Sequence, residues 1–173
     1  MRAHRRILAC VAGIGILAAI SGAEEHTGKG PVDFDTVNLA GERFELSSLR
    51  GEIVVLDFWA VWCAPCLAAI PALNEIHAAR ETSGAHVVGV AMYSGGPDKV
   101  RKLLKKHDSR YTKIMGSEEL GEEFGVIGYP TYFLIGPKGR IRGKYIGKIE
   151  EELRRLRKDI AELRGSIEAK EGG

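Results

Sequence analysis

The chain has 173 residues, 45% of them hydrophobic and 28% charged, with a formal net charge of +2. That length suits one domain with extensions rather than two domains, and the ordinary composition excludes a chain too polar to pack a core. Without Arg2, Arg5 and Arg6 at the N-terminus, the 25 basic residues become 22 against 23 acidic ones, a net −1 that gives no global electrostatic case for nucleic acid.

Those three arginines precede an apolar run over 7–20, and Ser21-Gly22-Ala23 then supplies small residues suited to cleavage. A run of 14 residues falls short of the roughly 20 that a membrane helix needs. Residues 1–23 are therefore expected to be a secretory signal peptide, with an uncleaved N-terminal membrane anchor as the alternative. The remainder is expected to be extracytoplasmic, either periplasmic or secreted. Residues 24–31, with Gly28 and Gly30, read as a linker. If Cys10 leaves with the signal, only Cys63 and Cys66 remain. No cysteine is then left for a structural disulfide, which in an oxidising compartment points to chemistry rather than stapling.

Strand character over 32–39 and 42–46, around Ala40-Gly41, predicts a hairpin ahead of the main sheet. Residues 53–59 form an apolar, β-branched run and a first buried strand. Leu67, Ile70, Leu73 and Ile76 then recur at helical spacing, so a helix is expected to about Arg80, bent by Pro71 inside it. A second buried strand is predicted over 86–92, a helix over 99–107, an edge strand over 111–115 and a short helix over 118–124. Residues 131–135 and 140–146 read as a hairpin through Gly136-Pro137-Lys138-Gly139. Ile149, Leu153, Leu156, Ile160 and Leu163 mark an amphipathic last helix that packs on the sheet, leaving 165–173 as a loose tail. The one domain, 32–164, is then a mixed α/β sheet flanked by helices.

The chemistry concentrates where the strand over 53–59 meets the helix, at Trp62-Cys63-Ala64-Pro65-Cys66. Backbone N–H groups at a helix start have no partner within the helix, and the dipole there favours negative charge. A cysteine at this point gives up its proton more easily, and the thiolate is the nucleophile of disulfide exchange. Ala64 is compact, and Pro65 suits the first helical turn because its missing N–H would be unpaired there anyway. The second thiol, one turn away, can attack a mixed disulfide formed by the first. The competing reading is half of a metal site, but a closed zinc site needs two further ligands, and His4, His26, His77, His86 and His107 are scattered without ligand spacing. Asp57 is an acid inside an apolar strand, costly if ionised without a partner unless the strand end reaches solvent.

Four landmarks in order carry a resemblance: Asp57-Phe58-Trp59-Ala60, then Trp62-Cys63-Ala64-Pro65-Cys66, then Pro71 five residues beyond the second cysteine, then Tyr129-Pro130-Thr131 before an apolar strand. Residues 54–66 resemble the active-site strand and helix start of the thioredoxin superfamily. With its N-terminal extension, the chain is most similar to the TlpA/ResA-like exported thiol–disulfide oxidoreductases. The resemblance implies a thioredoxin fold with an N-terminal β-hairpin extension. Cys63 would be the attacking thiolate, Cys66 the buried resolving thiol, and Asp57 the acid that takes and returns the Cys66 proton. Pro71 would kink the helix, and Pro130 would be a cis-proline facing the thiols. The Tyr129 backbone would then be turned to pair with an extended substrate, and Trp62 would be a substrate platform, whereas Trp59 reads as core. Tyr129's side chain reads equally as packing or as substrate contact.

By the same resemblance the substrates are protein disulfides or dithiols, including the haem-attachment cysteines of apocytochrome c. Electrons would come from a membrane thiol–disulfide donor. No cofactor or metal is required, and the protein is expected to be a monomer. Several ResA-like proteins carry a glutamate three residues after the second cysteine, where this chain has Ala69. The resemblance to general thioredoxins implies that the proton-handling acid here is Asp57 instead. A disulfide oxidase or isomerase, or a copper- or zinc-binding carrier using the same cysteines, stands as the alternative.

Overall fold

The computed structural model describes residues 30–147 and 149–171. The signal or anchor expected over 1–23 and most of the linker lie outside them. Among the described residues no helix is long and apolar enough to cross a membrane.

Two strands, β1 (Asp35–Val37) and β2 (Arg43–Glu45), form an antiparallel hairpin, and a single 3-10 turn over Leu46–Leu49 follows. The main sheet has five strands: β3 (Val54–Trp59), β4 (His86–Ala91), β5 (Thr112–Met115), β6 (Thr131–Ile135) and β7 (Ile141–Ile146). Their spatial order is β5-β4-β3-β6-β7, with β3 central, parallel to β4 and antiparallel to β6. Every residue of β3 is buried, as a strand covered on both faces requires, so its sequence is a continuous apolar run broken only by Asp57.

Alternation along β3 divides the interior. Val55 and Trp59 face one layer, where α1 (Ala64–Ala78), α2 (Pro97–Lys106) and α4 (Ile149–Glu171) bury Ile70, Leu73, Val100, Leu104, Leu153, Leu156 and Ile160. Val54, Leu56 and Phe58 face the other layer, with Phe44 from the hairpin, Leu46, and Phe124 at the end of α3 (Glu118–Glu123). Phe58, Phe124 and Phe133 meet there in edge-on and tilted pairs at ring separations of 5.2 to 5.6 Å. Helix starts follow local chemistry. Pro97 opens α2 with Asp98 in its first turn and Lys105 and Lys106 in its last, and the Ser117 hydroxyl caps α3 by accepting the Leu120 N–H at 3.2 Å.

The hairpin forms but is shorter than its sequence pattern. Beyond Val37 the chain leaves β2 for the main sheet: Leu39 N–H donates to the Lys113 carbonyl at 2.9 Å, and Asn38 bridges Ile114. The tail expected over 165–173 is instead helical as far as Glu171. Ile167 continues the apolar stripe onto the core, and the Arg164 guanidinium donates to the carbonyls of Arg80 and Gly84 at 2.7 and 2.8 Å. Together these outweigh the roughly 1 kcal/mol that Gly165 costs inside a helix.

Candidate active site

Cys63 and Cys66 stand where β3 gives way to α1, and they are joined as a disulfide with their Cα atoms 5.3 Å apart. Cys63 is the N-cap: its Sγ accepts the Cys66 backbone N–H at 3.2 Å. A free N–H of the helix start is therefore aimed at the sulfur that would carry negative charge in the reduced pair. Both cysteines are buried to nearly the same degree, at 4% and 3% exposure, so solvent access alone does not separate their roles. Ala64 and Pro65 lie exposed in the first turn, and Pro71 lies on the solvent side of the same helix.

The Tyr129–Pro130 bond is cis. Trp62 is 64% exposed, and its ring lies edge-on to Tyr129 with centroids 5.8 Å apart. The fold thus brings the loop ahead of β6 against the cysteine motif. The backbone N–H and C=O of Tyr129 make no hydrogen bond to other described residues, whereas the Pro130 carbonyl accepts from Gly147. Trp59 is buried in the core.

Asp57 is buried on the face of β3 that packs against the cysteine-bearing helix. Burial pushes its carboxyl up to about 6; the Lys113 charge and a hydrogen bond donated by the Tyr111 hydroxyl at 3.1 Å act in the opposite direction. Burial likewise pushes Lys113 down to about 7, opposed by Asp57. The Lys113 ammonium lies 2.9 Å above the centre of the Tyr111 ring and donates to the Ser109 hydroxyl at 2.5 Å. Strand register explains this meeting: Asp57 pairs with Gly89, and Gly89 with Lys113. A Cβ at Gly89 would collide with the Lys113 stem, so the missing side chain gives the lysine its path across the sheet. The Tyr132 hydroxyl, on the other side of Asp57 in the same row, is buried without a hydrogen-bond partner.

Lys113, Tyr111 and Gly89 are absent from the residues that the sequence singles out. A lysine in an edge strand normally points to water, and only the strand register turns this one inward. No group of three or more His, Cys, Asp or Glu among the described residues could hold a metal ion. The His77 ring instead accepts the Val87 N–H at 3.1 Å, and His86 lies 3.1 Å from a Glu52 carboxylate oxygen.

A cysteine pair capping a helix on a mixed five-stranded sheet, with an ionisable group buried on the sheet face behind that helix, defines a thiol–disulfide oxidoreductase of thioredoxin-like fold. The model of the AhpC/TSA family matches residues 27–144, and the chain belongs to that family. It is 30% identical over 132 residues to the thiol-disulfide oxidoreductase ResA of Bacillus cereus, covering 72% of each chain. With ResA of Bacillus subtilis the identity is 27% over 152 residues, or 85% of this chain and 83% of that one. Among solved structures, a protein described as thiol:disulfide interchange protein DsbE from Chlorobium tepidum superposes with a TM-score of 0.72 at 28% identity, covering 79% of this chain and 96% of that one.

Proposed function

We propose that this protein is an exported reductase of protein disulfides, working through the Cys63/Cys66 pair. The observation that carries the exchange chemistry is the helix N-terminus aimed at the Cys63 sulfur; the reducing direction rests on Ala64-Pro65 between the cysteines and the acid at Asp57, which resemble the reducing branch of the superfamily. The reduced Cys63 thiolate attacks one sulfur of a substrate disulfide, and a mixed disulfide forms as the other substrate sulfur leaves as a thiolate. Cys66 then gives its proton, through water, to Asp57 and attacks the Cys63 sulfur. The mixed disulfide breaks, the substrate departs with both cysteines reduced, and the protein retains the intramolecular bond. Two electrons have passed to the substrate. A membrane dithiol donor restores them, because the compartment itself is oxidising.

Asp57 suits the proton-accepting role because a group held near pH 6 is half-ionised close to working pH. The backbone groups of Tyr129, unpaired among the described residues, support docking of an extended substrate segment as an added strand beside Cys63, with Trp62 as its apolar platform. The likeness to a thiol-disulfide oxidoreductase and a thiol:disulfide interchange protein supports the exchange chemistry; the proposed substrates include the cysteine pairs of apocytochrome c.

The test is the reduction potential of the Cys63/Cys66 couple, found by equilibrating the protein against defined dithiol buffers. A value near or below about −250 mV is expected. A value above roughly −180 mV would replace the reductase with a disulfide-forming or isomerising enzyme.

A further inference from the structure

Beside the cysteine motif runs a groove of about 300 Å³ lined by Val61, Trp62, Leu103, Lys99, Lys102 and Lys106. Its floor is apolar. Its rim is three lysines at positions i, i+3 and i+7 of α2, which lie along one side of a helix. All three are exposed, and none has a carboxylate within ion-pair distance among the described residues; Asp98 of the same helix is taken by Arg101. The groove wall is fixed, because the Val61 N–H donates to the Ser94 hydroxyl at 3.0 Å and that hydroxyl donates to the Met92 carbonyl at 2.8 Å.

Across Trp62 the charge reverses. Tyr129 packs on the Trp62 ring, and Tyr93, 61% exposed, lies in the field of Glu118, Glu119 and Glu122 of α3, which with Glu123 are exposed. A chain lying over the cysteines therefore meets ammonium groups on one flank and carboxylates on the other.

We infer that this groove is a specificity subsite for an acidic, partly apolar segment flanking the reacting cysteine of the protein substrate, and that the opposed charges set the segment's direction. This rests on the exchange chemistry proposed above. Along α2 the lysine row spans ~10 Å. Acidic side chains two apart on an extended segment lie ~7 Å apart on one side of it, so two of them reach two of the lysines, while the apolar side chains that alternate with them point to the other side, toward Trp62. Such rim charges act on encounter and direction more than on bond chemistry.

Binding to the oxidised protein isolates the groove from the redox reaction. The probes are a fluorescently labelled peptide of alternating Asp and Leu, its counterpart with Lys in place of Asp, and vesicles containing phosphatidylglycerol. The acidic peptide is expected to bind at least about tenfold more tightly than the lysine peptide, the combined effect of several exposed ion pairs. That preference should vanish in the Lys99→Glu/Lys102→Glu/Lys106→Glu variant and fade at high salt, where exposed pairs are screened. Equal affinity of the parent for both peptides, or an unchanged preference in the triple variant, overturns the inference. So does lysine-dependent binding to vesicles without any peptide preference. The exchange reading is scored separately, by reduction of 2-hydroxyethyl disulfide by the parent protein; failure there counts against that reading alone and leaves the binding result as it stands.

Discussion

Lys113 and Asp57 stand two strands apart on one row of the sheet, with only the hydrogen of Gly89 on the row between them. The lysine holds the carboxyl below where burial alone would put it. In Lys113→Met the Asp57 carboxyl should therefore rise further above about 6. The pH midpoint of product release would move up by about one unit, as loss of a nearby opposite charge dictates. Single-turnover release of a fluorescent dithiol product across pH reads this directly. Gly89→Ala should reproduce the shift by displacing the lysine, at a cost of about 1–3 kcal/mol for the crowded side chain. A Gly89→Ala protein with the parent profile would show that the row does not couple the two groups.

Asp57→Asn removes the proton acceptor, and the resolving step should slow by about 10²-fold or more while formation of the mixed disulfide is spared. Its stability should diverge from the parent's in a defined direction. Because the folded carboxyl is raised from 3.8 to about 6, the parent loses stability as pH rises through that window and the variant does not. The gap in favour of Asn should grow by about 2 kcal/mol between pH 4 and 6. His77, pushed down to about 4 first by burial and then by His86, titrates in the same window with the opposite sign. Urea denaturation of both proteins side by side cancels that contribution.

The two cysteines should separate by substitution. Cys66→Ser is expected to accumulate a covalent adduct with a protein substrate, because the thiol that would cleave the mixed disulfide is gone. Cys63→Ser should form none. Non-reducing mass spectrometry of the trapped species decides it, and adducts on Cys66 in the Cys63→Ser protein would reverse the assigned roles.

Arg164 ties the C-terminal helix to the turn after α1 through the carbonyls of Arg80 and Gly84. Arg164→Ala should destabilise the fold by about 1–3 kcal/mol, the range for losing a charged donor to carbonyl groups. The reduction potential of the variant should not move, since Arg164 holds the turn at the end of α1 opposite the cysteines. Chemical denaturation paired with a redox titration distinguishes the two effects.

Much of this was legible in one dimension. The β3 run, the strand-to-helix step at Trp62-Cys63 and the apolar stripe of α4 each follow from a local period, and residues 131–135 coincide with β6. What escaped was relational. Tyr111 and Lys113 read as members of an edge strand because nothing nearby in sequence says that Gly89, the fourth residue of another strand, will stand beside Lys113. The end of α4 escaped for a different reason. Gly165 and the polar residues after it suggest a stop, and only contacts with the turn near Gly84 and the packing of Ile167 keep the helix going.

The crossing of residues 38–39 onto β5 also bears on how copies of this protein tolerate crowding. An uncovered outer strand is a template on which a neighbour's strand can add. Here the Leu39–Lys113 hydrogen bond and the Asn38–Ile114 bridge occupy part of that rim, while the opposite rim, β7, carries Arg142 and Lys144. Self-association through sheet extension is thus opposed by a strap on one side and by like charge on the other. Loosening the strap is the step that would expose the chain to aggregation.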